Sequence, residues 1–206
     1  MGKVKIKKED VWIDMTPMSD VMVLLLTFFM LTSTFVKQEP VKVNTPGSVS
    51  EIKVPEKNVL NILVDKSGKI FMSMDNLNDL DAVLADVTGQ YGVSLDGTQI
   101  QKFKNDPMWG VPMNELEGYL NLPDQAAMSA KLKTEGIPTD SVDGKISEFQ
   151  VWVKAARQAT NDEIKIAIKA DENTPYKVIK KMMSEMQDID ANRYYLITQY
   201  KKVEDE

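Results

Sequence analysis

Two residue types that carry much of protein chemistry are missing from this chain of 206 residues, which has no cysteine and no histidine. Without cysteine there are no disulfides, thiol nucleophiles or cysteine-bound zinc ions. Without histidine the chain lacks the commonest general base and the commonest metal ligand. These absences exclude catalytic triads and zinc hydrolase motifs, and we predict neither an enzyme nor a bound cofactor or metal.

An excess of positive charge is also missing, because 25 lysines and arginines face 31 aspartates and glutamates and the net charge is −6. A domain that binds nucleic acid needs a basic face, so we do not expect a nucleic-acid partner. The N-terminus is a local exception, since Lys3, Lys5, Lys7 and Lys8 all precede the first acidic residue.

A long apolar run follows this basic start. Residues 18–36 contain no proline, no glycine and one charge, Asp20. A helix of this length covers roughly 28 Å, close to the ~30 Å hydrocarbon core of a bilayer. Since the lysines precede the run, the N-terminus should remain in the cytoplasm. We therefore predict a single transmembrane helix at residues 17–37 in the inner membrane. A cleaved signal peptide is the alternative, although the run is long, is charged and lacks a small-residue cleavage site.

Three polar residues, Asp20, Thr27 and Thr34, recur at intervals of seven along this run. On a helix they form one stripe, which predicts a partner helix or a wet cavity along it. An aspartate within a spanning helix costs about 2.5–3.5 kcal/mol on insertion scales. Either Asp20 reaches water at the membrane surface, or it carries protons, since burial favours the neutral acid. The second possibility requires a partner with several helices.

Residues 13–30 read Ile-Asp-Met-Thr-Pro-Met-Ser-Asp-Val-Met-Val-Leu-Leu-Leu-Thr-Phe-Phe-Met. The segment resembles the ExbD/TolR family of biopolymer-transport proteins, in which Thr-Pro is followed three residues later by Asp at the head of an apolar run. Asp14 stands where the family often has Asn, and Ser19 stands where it usually has an aliphatic residue. The matching positions are Thr16, Pro17, Asp20, Val21, Met22, Phe29 and Met30.

Two later segments extend the resemblance. Residues 41–46, Val-Lys-Val-Asn-Thr-Pro, are similar to the family's Val-x-Val-x-Leu-Pro motif, with Thr45 in place of Leu. Residues 168–176 resemble the strand-to-helix corner near the family's C-terminus. With their flanking elements these segments cover about two thirds of the chain. Residues from about 91 to 145 match nothing in the family pattern and are predicted to be an insertion, which we interpret as an added partner-binding surface.

The resemblance implies a subunit that transduces the proton-motive force in the inner membrane. It implies an ExbB-like multi-helix partner, a homodimer inside that partner's ring, and a TonB-like protein that drives outer-membrane transport. Asp20 matches the family's proton-linked aspartate. The candidate partner-binding residues are Val41, Val43 and Pro46, in a segment that could add to a sheet edge or remain a disordered tether.

Other functions fit the same residues. A TolR-like role in envelope maintenance, or a motor stator subunit, would use the same membrane motif. A membrane-anchored periplasmic binding module would need no proton role.

The remaining sequence predicts a cytoplasmic segment at 1–16, an extended periplasmic linker at 38–57 and a periplasmic α+β domain at 58–206. Its elements follow the order ββα…αβαβ, with the helices on one sheet. Trp109, Tyr119 and Trp152 are predicted core residues. The expected strands are 59–64, 69–74, 163–170 and 193–200, and the expected helices are 76–90, 98–106, 113–122, 124–134, 146–159 and 174–189.

Overall fold

The computed structural model describes residues 14–33, 40–48, 57–140 and 146–200. The chain divides into two compact units, residues 1–37 and residues 38–206.

The described part of the first unit contains helix α1, Thr16–Thr32, with Pro17 in its first turn. Thr16 is the first residue of this helix. The Asp14 Oδ1 before it accepts hydrogen bonds from the Thr16 hydroxyl at 2.5 Å and from the Thr16 backbone N–H at 3.0 Å. These bonds lower the pKa of the Asp14 carboxyl.

Helix α1 buries none of its 17 residues, and Met30 and Leu31 are 79% and 87% exposed. Within the described parts of the chain, we find no helix with both the length and the apolar character needed to cross a membrane. The predicted span at 17–37 continues into residues 34–37, which lie outside the described residues. The transmembrane helix therefore stays a prediction.

The second unit is built on a mixed four-stranded sheet with the strand order β3-β2-β4-β5. Its β2–β3 pair is antiparallel, and the β2–β4 and β4–β5 pairs are parallel. The predicted α+β arrangement is confirmed for this unit. The six described strands are β1 Gly47–Ser48, β2 Val59–Val64, β3 Ile70–Met74, β4 Lys165–Ala170, β5 Tyr194–Leu196 and β6 Gln199–Tyr200.

Apolar faces of the helices complete the core against this sheet, and α2 packs against α6. Helix α2 ends at Tyr91, one residue beyond the predicted end, where Gly92 adopts the left-handed conformation, at φ 68°, that closes a helix. The second unit's described helices are α2 Leu77–Tyr91, α3 Gly97–Asn105, α4 Met113–Leu120, α5 Gln125–Thr134, α6 Glu148–Ala159 and α7 Tyr176–Asp188.

The predicted final strand at 193–200 is wrong in one respect, because it is divided into β5 and β6. The Ile197 N–H donates to Ile168 O at 2.8 Å, at the end of the main sheet. Two residues later the Gln199 N–H donates to Pro46 O at 3.0 Å, and β6 pairs in parallel with β1. The chain thus changes hydrogen-bonding partner within three residues, which no local pattern of residue types encodes.

The predicted insertion contributes to the same core as the sheet. The rings of Phe103, Trp109 and Trp152 form one cluster, with centroids 5.4 to 6.1 Å apart. Trp109, Trp152 and Tyr119 are at most 4% exposed, as expected for core residues. The aromatic cluster joins α3 and the segment after it to α6.

The insertion also covers the outer edge of β3. Met72 and Trp109 exchange two backbone hydrogen bonds, both 2.8 Å, and the Ile137 N–H donates to Ile70 O at 2.9 Å. Unpaired strand edges invite pairing with other chains, so this coverage protects that side of the sheet.

Candidate functional site

Asp20 is the fifth residue of α1 and its side chain is exposed. Thr27 lies two turns further on, and its hydroxyl donates to the Leu24 carbonyl at 3.0 Å. Because that hydroxyl is satisfied by its own helix, it needs no acceptor from a partner when water is absent. Thr34, the third member of the predicted stripe, lies outside the described residues. Of the three predicted stripe residues, the structure therefore describes Asp20 and Thr27.

Most of the exposed surface of the helix beyond Asp20 is apolar. The side chains of Leu24, Leu26, Phe28 and Phe29 are each 59% exposed or more. Exposed apolar surface of this extent marks a site of contact with lipid or with another protein. A carboxylate set in such a surface is costly unless it has a functional partner.

A second candidate region is the segment 40–48, which the second unit holds by backbone hydrogen bonds. The Asn44 N–H donates to Asp171 Oδ2 at 2.9 Å, and Asn44 O accepts from the Glu172 N–H at 2.9 Å. Pro46 O accepts the bond from Gln199 that begins β6. This segment is therefore docked on the domain along its length.

Apolar side chains of the same segment point toward the core. Val41 is 8% exposed, and Val43 is half-buried and packs against the core cluster. Lys42 and Asn44, between and after them, are exposed. For Val41 to pair with another protein, it would first have to leave this site. The partner-binding role of Val41, Val43 and Pro46 stays a prediction.

Asp171 is the charged residue that holds the segment. Its Oδ1 accepts the Asn173 N–H at 3.0 Å while its Oδ2 accepts the Asn44 N–H. These hydrogen bonds, led by the one from Asn44, lower the pKa of the Asp171 carboxyl. The sequence alone did not single out Asp171 as a functional residue. The sequence feature that could have identified Asp171 is its position in the segment 168–176, which resembles the family's strand-to-helix corner.

Metal binding finds no support in the described parts of the chain, where no three acidic side chains come close enough to hold an ion. The candidate site therefore has two parts, the carboxylate of α1 and the docked segment 40–48.

These features define a class of protein: a small α+β domain preceded by an exposed apolar helix that carries a single carboxylate. Residues 7–107 match the family model described as "Biopolymer transport protein ExbD/TolR". Over that range the chain is similar to the ExbD/TolR family, and the resemblance noted in the sequence is confirmed. The match ends inside the predicted insertion, and the segment 168–176 lies beyond it.

A relative named "Biopolymer transport protein exbD2" comes from Vibrio cholerae serotype O1 (strain ATCC 39315 / El Tor Inaba N16961). It is 30% identical over 80 residues, which cover 39% of this chain and 52% of that protein. The matched region thus spans about half the length of the relative. No solved structure matches the chain.

Proposed function

We propose that this protein is a non-enzymatic, energy-transducing subunit of the inner membrane, anchored by residues 17–37 with its C-terminal domain in the periplasm. It works as a homodimer with an ExbB-like multi-helix partner and couples the proton-motive force to a TonB-like protein that drives outer-membrane transport. The observation that carries this proposal is the exposed apolar helix α1 with Asp20 as its single charge. The match of residues 7–107 to a biopolymer-transport family supports the same function.

Asp20 is the proton carrier in this proposal. Inside a partner's helix bundle the carboxyl would leave water, and burial favours its neutral form. A conduction path from one side of the membrane lets it accept a proton, and a path to the other side lets it release one. Each charge that crosses 100 mV supplies about 2.3 kcal/mol, enough for a few protons to move one protein against another. Thr27 lies two turns beyond Asp20 on α1, and we propose that it and the predicted stripe residue Thr34 line the same path.

In this proposal the segment 40–48 is the part of the protein that contacts the TonB-like partner. When docked, it satisfies Asp171 and places Val41 in the domain's core. When released, Val41, Val43 and Pro46 become available to a TonB-like partner, to which an extended strand can add by backbone hydrogen bonds.

Replacement of Asp20 tests the proton role. Asp20→Asn keeps the shape of the side chain but cannot ionise, so uptake that depends on the proton-motive force should be lost. Asp20→Glu keeps an ionisable carboxyl and should retain part of that uptake. Co-purification of the ExbB-like partner from membranes should be unchanged in both variants.

Asp14→Asn is the matched control, because it makes the same chemical change just before the helix. We expect normal uptake from it. If Asp20→Asn supports normal uptake, envelope integrity and motility, the proton role is refuted and the anchored binding module becomes the better interpretation. If Asp20→Asn leaves uptake intact but abolishes envelope integrity or motility, the TolR-like or motor function replaces the transport function.

Release of the docked segment has its own test. Because the chain has no cysteine, Val43→Cys provides a single cross-linking site toward the TonB-like protein. Asp171→Ala should speed hydrogen exchange at the Asn44 amide and increase cross-linking. Glu172→Ala is the control, since Glu172 contacts Asn44 through its backbone. Faster exchange in Asp171→Ala without any cross-link to the TonB-like protein would contradict the proposal that the released segment 40–48 binds that partner.

A further inference from the structure

A cleft of about 480 Å³ opens at the end of the sheet where β4 and β5 begin. It lies between the loop that joins α6 to β4 and the loop that joins α7 to β5. Sites for small molecules and short peptide segments usually have volumes of about 300–1,000 Å³. The cleft is large enough for such a ligand, and neither Asp20 nor the segment 40–48 contributes to it.

Of the 25 lysines and arginines in the chain, two are arginines. Both of them, Arg157 and Arg193, line this cleft. Arg157 is fixed in place: its Nε donates to Asp162 Oδ1 at 2.8 Å and its Nη1 donates to Ile189 O at 2.7 Å. These two acceptors lie on the two loops. Arg157 therefore braces the cleft and fixes the distance between its walls.

Arg193 has a different environment. It lies one residue before β5 and is exposed, and within the described residues we find no hydrogen-bond or ion-pair partner for its guanidinium. A planar guanidinium presents paired donors that match the two oxygens of a carboxylate. Lys165 also lines the cleft and is exposed, but of these two cations Arg193 is the one that offers paired donors to an anion.

The floor of the cleft is apolar. Ile164, Ile166 and Ala191 line it and are 9%, 3% and 4% exposed. The carboxylates of Glu163 and Asp190 lie on its rim and are exposed. They would repel a multiply charged anion such as a phosphate ester, but they tolerate a single carboxylate that carries an amine or an amide nearby.

We propose that this cleft binds a peptide carboxylate, with Arg193 holding the carboxylate and the floor of Ile164, Ile166 and Ala191 receiving the adjacent aliphatic side chain. The carboxylate is either the C-terminus of a peptide or an aspartate within an extended segment of another protein. The proposal does not depend on the proposed function, since it uses neither the proton carrier nor the docked segment.

Titration of the full chain in detergent micelles tests this proposal with three probes, followed by NMR of the Arg193 Nε–H and the Tyr195 amide. The probes are the tripeptide Ala-Ala-Leu, its C-terminal amide, and the blocked peptide acetyl-Ala-Asp-Leu-amide. We expect one of the two carboxylate peptides to shift both signals in a saturable way. The peptide without a carboxylate should bind at least about tenfold more weakly, since a hydrogen bond to a charged group is lost.

The two carboxylate probes distinguish the sources of the ligand. Tighter binding of Ala-Ala-Leu indicates a free C-terminus, whereas tighter binding of the blocked aspartate peptide indicates an internal segment of a partner. If neither peptide shifts the signals, or if the amide binds as well as the acid, the proposal is wrong.

Substitution of the exposed Arg193 provides the matched comparison. Arg193→Gln should weaken carboxylate binding by about tenfold or more, and Arg193→Lys should have an intermediate effect because it keeps the charge but loses the paired donors. Lys177→Gln removes an exposed charge from α7 outside the cleft and should bind like the parent protein. Equal binding by Arg193→Gln and Lys177→Gln would overturn the proposal.

Discussion

Helices α1 and α6 are both rich in apolar residues, but they bury very different fractions of them. Helix α1 buries none of its residues, whereas α6 buries seven, including Phe149 and Trp152. Helix α6 also begins with a complete capping box, in which the Ser147 and Gln150 side chains each accept a backbone N–H of the other residue. Most helical stability in proteins comes from packing of an apolar face. The chain itself supplies that packing for α6, while α1 must obtain it from lipid or from a partner.

The largest expected effect is a loss of unfolding free energy that a substitution in α6 causes and a substitution in α1 does not. Trp152→Ala should lower the free energy of unfolding of the second unit by about 3–5 kcal/mol, because it leaves a cavity in the aromatic cluster. Phe29→Ala in α1, where the ring is 65% exposed, should leave that free energy unchanged. Denaturant titration followed by tryptophan fluorescence and circular dichroism measures both variants. Equal losses in the two variants would contradict the comparison.

A second prediction asks whether the insertion belongs to the core that α6 serves. A Cβ added at Gly110 would lie 2.2 Å from Phe71 Cδ1, so Gly110→Ala should cost about 1–3 kcal/mol of unfolding free energy. Gly118 lies inside α4 with no such neighbour within 4 Å. Gly118→Ala should stabilise the protein by about 0.5–1 kcal/mol, since alanine loses less backbone entropy. Similar effects at both positions, measured by the same titration, would mean that the insertion packs independently of the sheet.

The smallest expected effect concerns the buried carboxylate beside the start of α6. Glu185 is 8% exposed, its Oε2 accepts the Ser147 hydroxyl at 2.5 Å, and burial raises the pKa of its carboxyl. The Ser147 bond and Lys181 act in the opposite direction, and Asp140 and Asp188 add to the increase. The folded protein thus binds a proton more tightly than the unfolded chain does. This contribution to stability is complete below the unfolded pKa near 4.5 and is lost as the pH rises through the folded pKa.

Glu185→Gln removes this titration. The parent protein should therefore gain stability relative to Glu185→Gln as the pH falls from 7 toward 4.5, as measured by unfolding at several pH values. Glu163→Gln, at an exposed glutamate, provides the control and should follow the parent protein across the range. A pH-independent difference between the parent protein and Glu185→Gln would show that burial of Glu185 does not perturb its titration.

Short sequence patterns were sufficient to predict an element when neighbouring residues alone determine its structure. The apolar run Val59–Val64 predicts β2, and the expected helix 76–90 differs from α2 by one residue at each end, with Gly92 following α2 in the left-handed conformation that glycine tolerates. The spacing of Thr16, Pro17 and Asp20 was enough to indicate the ExbD/TolR family, which the family match over residues 7–107 confirms.

Contacts between distant segments were not predictable in this way. The sequence alone predicted an insertion but not its contacts with the sheet, where the structure pairs Trp109 with Met72 and adds Trp109 to the aromatic core. The docking of Asn44 on Asp171 joins residues 127 positions apart. Neither contact leaves a periodic signal, since hydrogen bonding between loops depends on where the sheet places them.

The sequence by itself determined that this chain has a single-charge apolar helix, a family resemblance and an α+β domain, because composition, periodicity and short motifs act over a few neighbouring residues. Only the tertiary structure decided that one predicted strand divides between two sheets, that the insertion covers β3, and that Arg157 and Arg193 line one cleft. The physical reason is that these features depend on backbone hydrogen bonds and packing between segments far apart in the chain, which form only when the whole domain has folded.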